Sequence, residues 1–249
     1  WRKGGHGSVD MIQAITQSCD VYFYRLAQML GIQRIHDFLQ QFGFGEKTGI
    51  DLYGESSGLL PSPAWKHSKK KQKWYEGETL ITGIGQGYHQ VTPLQLARAT
   101  ATLANHGNVV FPFLVDKVIT AQGIQKVSEK HNETIPLQAS HLDSIFAGMI
   151  NVVHSGAGTA KRIGLGIPYQ IAGKTGTAQV FGIKQGAKYN ESQIDFKLRD
   201  NALFVAFAPA DDPKIAVAVV VEHGGHGGSV AAPIAGKVIK QYLQSLHEN

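Results

Sequence analysis

The last third of the chain leaves few folds open. Three runs, Tyr169 to Val180, Ala202 to Ala208 and Lys214 to His223, have strand composition. The second and third are separated only by Pro209-Ala210-Asp211-Asp212-Pro213, a short turn that favours an antiparallel pair. A helix predicted from Ala232 to Leu246 follows, and a sheet needs such a helix to cover its apolar face.

The first two thirds read as helices with one long irregular stretch. A helix starts near Ser8, is punctuated at Ser18, and resumes from Val21 to Leu30, where Gly31 stops it in the manner of a helix C-terminus. Ile35, Phe38, Leu39 and Phe42 recur at helical spacing and predict a buried stripe ending at Gly43. Gly43 to Gly87 reads as irregular, and long loops usually carry function. Thr92-Pro93 predicts an N-cap followed by proline at the first helical position, with Leu94, Ala97, Ala101 and Ala104 inward until Gly107. A strand pair is expected over Val109 to Thr120 and Gly123 to Val127, turning at Gln122-Gly123. Leu137 to His154 reads as a helix with Leu142, Ile145, Phe146, Met149 and Val153 on one face. No repeat or low-complexity linker interrupts the chain, so the economical expectation is one α/β domain of the α+β type with a largely antiparallel sheet.

Composition narrows the function classes. In 249 residues, 43% hydrophobic against 17% charged is globular composition. The longest strongly apolar run, Ile215 to Val221, is far short of the roughly 18 residues a membrane-spanning helix needs, and nothing resembles a signal peptide. The sequence opens at Trp1 inside a polar, glycine-rich stretch, which raises the expectation of a piece of a longer polypeptide with any anchor upstream. The net charge of +5 concentrates at Lys66, Lys69, Lys70, Lys71 and Lys73. A solvated loop explains that patch, with an anionic partner as the sharper alternative. No nucleic-acid-binding module is present. Cys19 is the single cysteine, so no intrachain disulfide forms.

The segment richest in chemistry is Ala172-Gly173-Lys174-Thr175-Gly176-Thr177-Ala178. A phosphate-binding loop would need glycine where Pro168 stands, and the segment lies inside a strand-like run instead of at a strand-to-helix turn. On a strand, Lys174 and Thr175 beside Gly176 set an ammonium and a hydroxyl next to an absent side chain, leaving room for a substrate backbone against the strand edge. An ordinary strand with a bulge is the plainer alternative. Lys-Thr-Gly is also one of the three elements of penicillin-binding proteins and class A β-lactamases, and Ser18-Cys19-Asp20 is a near match to a second, Ser-Asp-Asn.

With Gly4-Gly5-His6-Gly7, Val21-Tyr22-Phe23-Tyr24, Thr48-Gly49-Ile50-Asp51-Leu52, Trp74-Tyr75-Glu76-Gly77-Glu78-Thr79, Gly83-Ile84-Gly85-Gln86-Gly87-Tyr88 and Thr92-Pro93-Leu94-Gln95, these motifs make the whole chain resemble class B penicillin-binding proteins of the cell-elongation type, the penicillin-binding protein 2 group of Gram-negative bacteria. The resemblance implies the transpeptidase fold shared with serine β-lactamases, an antiparallel sheet flanked by helices, of which residues 1–249 would form the C-terminal portion. It implies a peptidoglycan D,D-transpeptidase that crosslinks stem peptides ending in D-Ala-D-Ala through a serine acyl-enzyme and is acylated by β-lactams. The family nucleophile lies in a Ser-x-x-Lys segment upstream of the Ser18 motif. The only such string here, Ser68-Lys69-Lys70-Lys71, is downstream in the lysine-rich stretch. It offers no desolvated base and reads as coincidence.

Carried over residue by residue, the resemblance makes Ser18 a proton relay, Asp20 a holder of the substrate peptide or of the missing lysine, and Lys174 a positive charge facing Ser18. Thr175, Gly176 and Thr177 become the substrate-binding strand, with the two threonines on the terminal carboxylate and the Thr177 N–H as an oxyanion donor. From spacing alone His6 and Cys19 read as a loop histidine and a buried thiol. The resemblance adds a structural zinc held by both with acidic ligands from upstream, a donor set suited to Zn²⁺. His223 and His226 need no metal, since a glycine-rich turn explains them. Implied too are an inner-membrane anchor with the domain on the periplasmic side, and a shape-determining glycosyltransferase and an elongation scaffold protein as partners. A serine β-lactamase and a non-catalytic sensor of the same fold are the alternatives.

Overall fold

The computed structural model describes residues 4–126, 133–180 and 194–246. Its centre is a three-stranded antiparallel sheet in the order β3-β4-β5, formed by β3 (Ala172–Ala178), β4 (Asn201–Ala208) and β5 (Ile215–Val221). The antiparallel pairing expected across Pro209–Pro213 is present, with Ala208 opposite Ile215. β4 is the middle strand and is buried on both faces: Ala202, Phe204 and Ala206 on one, Phe207 on the other, all at 0% exposure. Helix α6 (Ala139–His154) covers the Phe207 face, where Phe146 meets Phe207 edge-on at 5.1 Å. α5 (Pro93–Ala104) and α7 (Ala231–Ser245) pack against β4 and β5. The outer edge of β3 has no strand beside it among the described residues.

α1 (Met11–Gln17) begins later than Ser8, because Asp10 closes a capping box with Gln13, its carboxylate accepting the Gln13 N–H at 2.7 Å. α2 (Asp20–Gln41) contains the expected break at Gly31, whose φ of 73° and ψ of 156° no helix accommodates, yet the helix resumes at once with no intervening loop. The predicted stripe beyond it is shallow: Phe42 is buried, whereas Phe38 is 48% exposed. α5 starts at Thr92-Pro93 as expected, but its deepest positions are Gln95, Thr102 and Ala104, not Leu94, Ala97 and Ala101. A smaller hairpin, β1 (Lys117–Thr120) with β2 (Gly123–Lys126), is shorter than predicted, and the expected end of its second strand at Val127 lies outside the described residues.

Gly43 to Gly87 departs furthest from expectation, since it holds α3 (Pro63–Lys70) and α4 (Glu76–Thr82). The lysine patch is therefore split between the last turn of a helix, with Lys69 and Lys70 exposed, and the irregular stretch of Lys71 and Lys73 beyond it, and one member is not exposed at all. Lys66 is 1% exposed, paired with Glu78 and lying 4.6 Å from the Tyr75 ring centroid. Burial favours a neutral Glu78, but hydrogen bonds from Lys66 and the Tyr75 N–H outweigh it and hold the carboxyl below its ordinary value. Gln95 ties the same region from α5, donating to the Glu46 and Ser57 carbonyls at 2.7 and 2.8 Å. α4 lies on α2 so tightly that a Cβ at Gly83 would fall 2.3 Å from the Ala27 Cβ.

Candidate functional site

Ser18 closes α1 in the left-handed conformation, φ 53° and ψ 60°, and Cys19 is the N-cap residue of α2. A non-glycine residue in that region is strained by about 1–2 kcal/mol, so the surroundings must hold it. They do so through main-chain bonds from Ser18 N–H to the Ile15 carbonyl at 3.2 Å and from Cys19 N–H to the Ala14 carbonyl at 2.9 Å. The joint thus leaves the Ser18 side chain half-buried between two helices while Cys19 goes inward, 5% exposed. Asp20 opens α2.

Lys174 meets this joint from β3. Residues directly opposite in an antiparallel pair share a face, and Lys174 lies opposite Val205, on the α6 side of the sheet with Phe207. Its ammonium donates to Ser18 Oγ at 2.8 Å and to the Thr175 carbonyl at 2.7 Å, joining residues 156 apart in sequence. Burial pushes the ammonium down to about 8, partly offset by the Asp20 charge. The Ser18 oxygen that accepts from Lys174 keeps its own proton to give elsewhere, which is the arrangement a proton relay requires.

The outer edge of β3 follows from which carbonyls are taken. Lys174 holds the Thr175 carbonyl, and the Gln86 amide donates to the Thr177 carbonyl at 2.6 Å. In an antiparallel strand the N–H and C=O of one residue point the same way, so Thr175 and Thr177 turn their main-chain groups away from β4. The Thr177 N–H therefore points out from the edge of β3 that faces away from β4. The Thr175 hydroxyl is 2.8 Å from that of Thr159, a contact no sequence pattern had suggested. Behind Gly176, Gly227 crosses so closely that a Cβ on it would lie 2.5 Å from the Gly176 carbonyl oxygen. The turn containing His223 and His226 thus serves as backing for the strand, with His223 at φ 57° and its N–H on Asn201 Oδ1 at 2.9 Å.

Ser18, Asp20, Lys174, Thr175, Gly176 and Thr177 consequently form one neighbourhood. His6 is half-buried on a segment whose glycines, Gly4, Gly5 and Gly7, all have positive φ. Among the described residues no three His, Cys, Asp or Glu side chains gather as a metal-binding group. Ser68 stands apart on α3, donating to the Trp65 carbonyl at 3.0 Å beside the exposed Lys71, so its Ser-x-x-Lys string forms no site. Two contributors escaped the sequence reading, Thr159 and Gln86. Only Gln86 had a signal, as the one polar side chain between glycines in Gly85-Gln86-Gly87.

Residues 1–240 match the family model described as the penicillin binding protein transpeptidase domain. Peptidoglycan D,D-transpeptidase MrdA of Acinetobacter baumannii is 47% identical over 251 residues, covering 100% of this chain and 37% of that protein. MrdA of Escherichia coli K12 is 38% identical over 249 residues, covering 99% and 38%. The crystal structure of Pseudomonas aeruginosa PBP2 in complex with WCK 5153 superposes with a TM-score of 0.83 at 46% identity, over 98% of this chain and 51% of that one. PBP2 of Helicobacter pylori, in its complex with MreC, gives 0.82 at 32% identity, over 100% and 42%. The chain thus spans under two fifths of the length of the two MrdA relatives. These likenesses bear out the expected fold class and the elongation-type resemblance.

Proposed function

The chain belongs to the penicillin-binding protein transpeptidase family, and from that premise we propose that it forms the Lys-Thr-Gly side of the catalytic cleft of an elongation-type peptidoglycan D,D-transpeptidase. The observation carrying this reading is the Lys174 ammonium on Ser18 Oγ, beside a β3 edge that no strand covers among the described residues and from which the Thr177 N–H points outward. The serine nucleophile comes from a Ser-x-x-Lys segment outside these 249 residues. It attacks the carbonyl of the penultimate D-alanine, the peptide bond breaks, and D-alanine leaves as the amine. Ser18 passes the proton that this amine needs, and Lys174 steadies the negative charge. Asp20 stands beside the Lys174 charge, holding the substrate peptide or the upstream lysine. Thr177 N–H donates to the developing oxyanion, a contribution typically worth about 10²–10³ in rate. Thr175 and Thr177 receive the terminal carboxylate, with the Thr175 hydroxyl oriented by Thr159. An amine of a neighbouring stem then takes the acyl group, and β-lactams acylate the same serine.

The reading places the domain on the periplasmic side of the inner membrane, anchored elsewhere in the protein. No described helix is long and apolar enough to cross a membrane. A shape-determining glycosyltransferase and an elongation scaffold protein are the proposed partners. His6 and the buried Cys19 would supply a nitrogen and a sulfur, half of a tetrahedral structural zinc set, and the remaining ligands would come from outside the described residues. Bound there, zinc would pin the Ser18-Cys19-Asp20 joint. Metal analysis of the full-length protein tests it: stoichiometric zinc lost in Cys19→Ser supports the site, and absence of zinc from the native protein overturns it.

Labelling by a fluorescent penicillin tests the activity. Full-length protein should form one serine adduct and release D-alanine from a stem peptide. Rapid hydrolysis of the adduct without crosslinking would instead indicate a β-lactamase, and a stable adduct with no D-alanine release a sensor.

A further inference from the structure

Gln86 does more than touch β3. Its amide donates to the Thr177 carbonyl at 2.6 Å and accepts the Gln179 N–H at 3.3 Å. A grip on the C=O of one residue and the N–H two residues on is how a residue of a parallel neighbouring strand binds its partner. One side chain therefore takes the place of a fourth strand at this edge.

The loop that presents it is rigidly built. Gly85 and Gly87 take φ of 74° and 78°, Gln86 N–H bonds the Ile81 carbonyl at 3.1 Å, and Gly83 at the loop's base sits against Ala27 of α2. Since α2 also begins at Asp20, the same helix supports Gln86 and the Ser18 joint. On β3 the consequence is local. Lys174 fixes the peptide plane through the Thr175 carbonyl and Gln86 fixes the one through the Thr177 carbonyl. The Thr177 N–H belongs to the peptide between these two planes. We propose that Gln86 is a positioning residue that aims the Thr177 N–H at the reacting carbonyl and closes the strand edge beyond Thr177, limiting the docked peptide to the Thr175–Thr177 stretch.

This inference rests on the transpeptidase reading, and the test separates the two. Full-length protein with Gln86→Met, which keeps length and loses both hydrogen bonds, and with Gln86→Glu, which loses only the donor, is acylated by a chromogenic cephalosporin. Binding, the acylation rate constant and the infrared stretch of the ester carbonyl are followed. A weakened oxyanion donor slows acylation by about 10- to 100-fold, less than outright removal of a donor. Binding of the cephalosporin should weaken by less than about 3-fold, because the loss falls on the transition state. The ester stretch should move to higher wavenumber in both variants, a readout that general loosening of the fold would not give. Native rate and stretch in a folded variant would overturn the inference alone, and so would loss of folding in both variants, which would make Gln86 architectural. A native protein that forms no acyl-enzyme would remove the transpeptidase reading and this inference with it.

Discussion

Lys66 and Lys174 are both drawn out of water, and the two regions around them treat the charge in opposite ways. In the α3–α4 region, Lys66 has a carboxylate partner in Glu78 and the Tyr75 ring nearby. On β3, Lys174 donates to a hydroxyl and a carbonyl, neutral acceptors, with Asp20 felt only through space. A fully paired charge locks architecture, because separating it strands a buried ion. A charge held by neutral dipoles has no permanent counter-ion, so its field remains available to an anion that forms only during reaction.

The comparison breaks first at Glu78. Glu78→Ala leaves Lys66 buried without its counter-charge and should destabilise the protein by about 3 kcal/mol, the lower part of the range because Glu78 keeps 21% of its side chain exposed. Replacing both residues together, Lys66→Met with Glu78→Leu, should recover most of that loss. Denaturant midpoints decide it, and an unrescued double variant would mean that the pair is more than a neutralised charge.

Gln95 comes next. Gln95→Ala strands the Glu46 and Ser57 carbonyls in the same region and should cost about 1–3 kcal/mol, with acylation per folded molecule unchanged. A loss of acylation at full folding would tie this region to the chemistry more closely than the comparison allows.

These positions also mark what the sequence could reveal. The sheet was legible because period-two apolar runs such as Ala202, Phe204 and Ala206 fill a face that must be buried. The break at Gly31 and the helix start at Thr92-Pro93 were legible from backbone chemistry confined to one or two residues. α3 and α4 were not, because polar side chains hold them: a lysine inside a Lys-rich run looks solvated until Glu78, twelve residues on, is seen beside it. The candidate site divides likewise. Lys174, Thr175 and Thr177 stand in a recognisable string, whereas Thr159 and Gln86 act through one or two contacts to distant residues and leave no periodic trace.

The smallest stability effect belongs to Lys174. Below pH of about 8 it is charged both folded and unfolded, and its burial cost is present in full. Between about 8 and its ordinary 10.5 the unfolded chain keeps a proton that the folded protein has shed, so stability rises through this window relative to a Lys174→Met control. Acylation should move the opposite way, falling with a midpoint near 8 as the ammonium is lost. Lys174→Met itself should leave stability at pH 7 within about 1 kcal/mol of native, since it removes a desolvated charge that only neutral acceptors bond directly. A fall in stability across the same alkaline window, absent from the control, would mean that the folded protein favours the charged Lys174.

The most direct test of the Ser18–Lys174 unit is a double-mutant cycle on acylation by a β-lactam, using Ser18→Ala, Lys174→Ala and the double variant in the full-length protein, each corrected for the folded fraction. If the two side chains act as one relay, each single change should slow acylation by about 10²-fold or more, and the double variant should be little slower than the worse single, as members of one catalytic unit behave. Losses that multiply in the double variant would contradict the account, showing that the 2.8 Å contact joins two groups with independent roles.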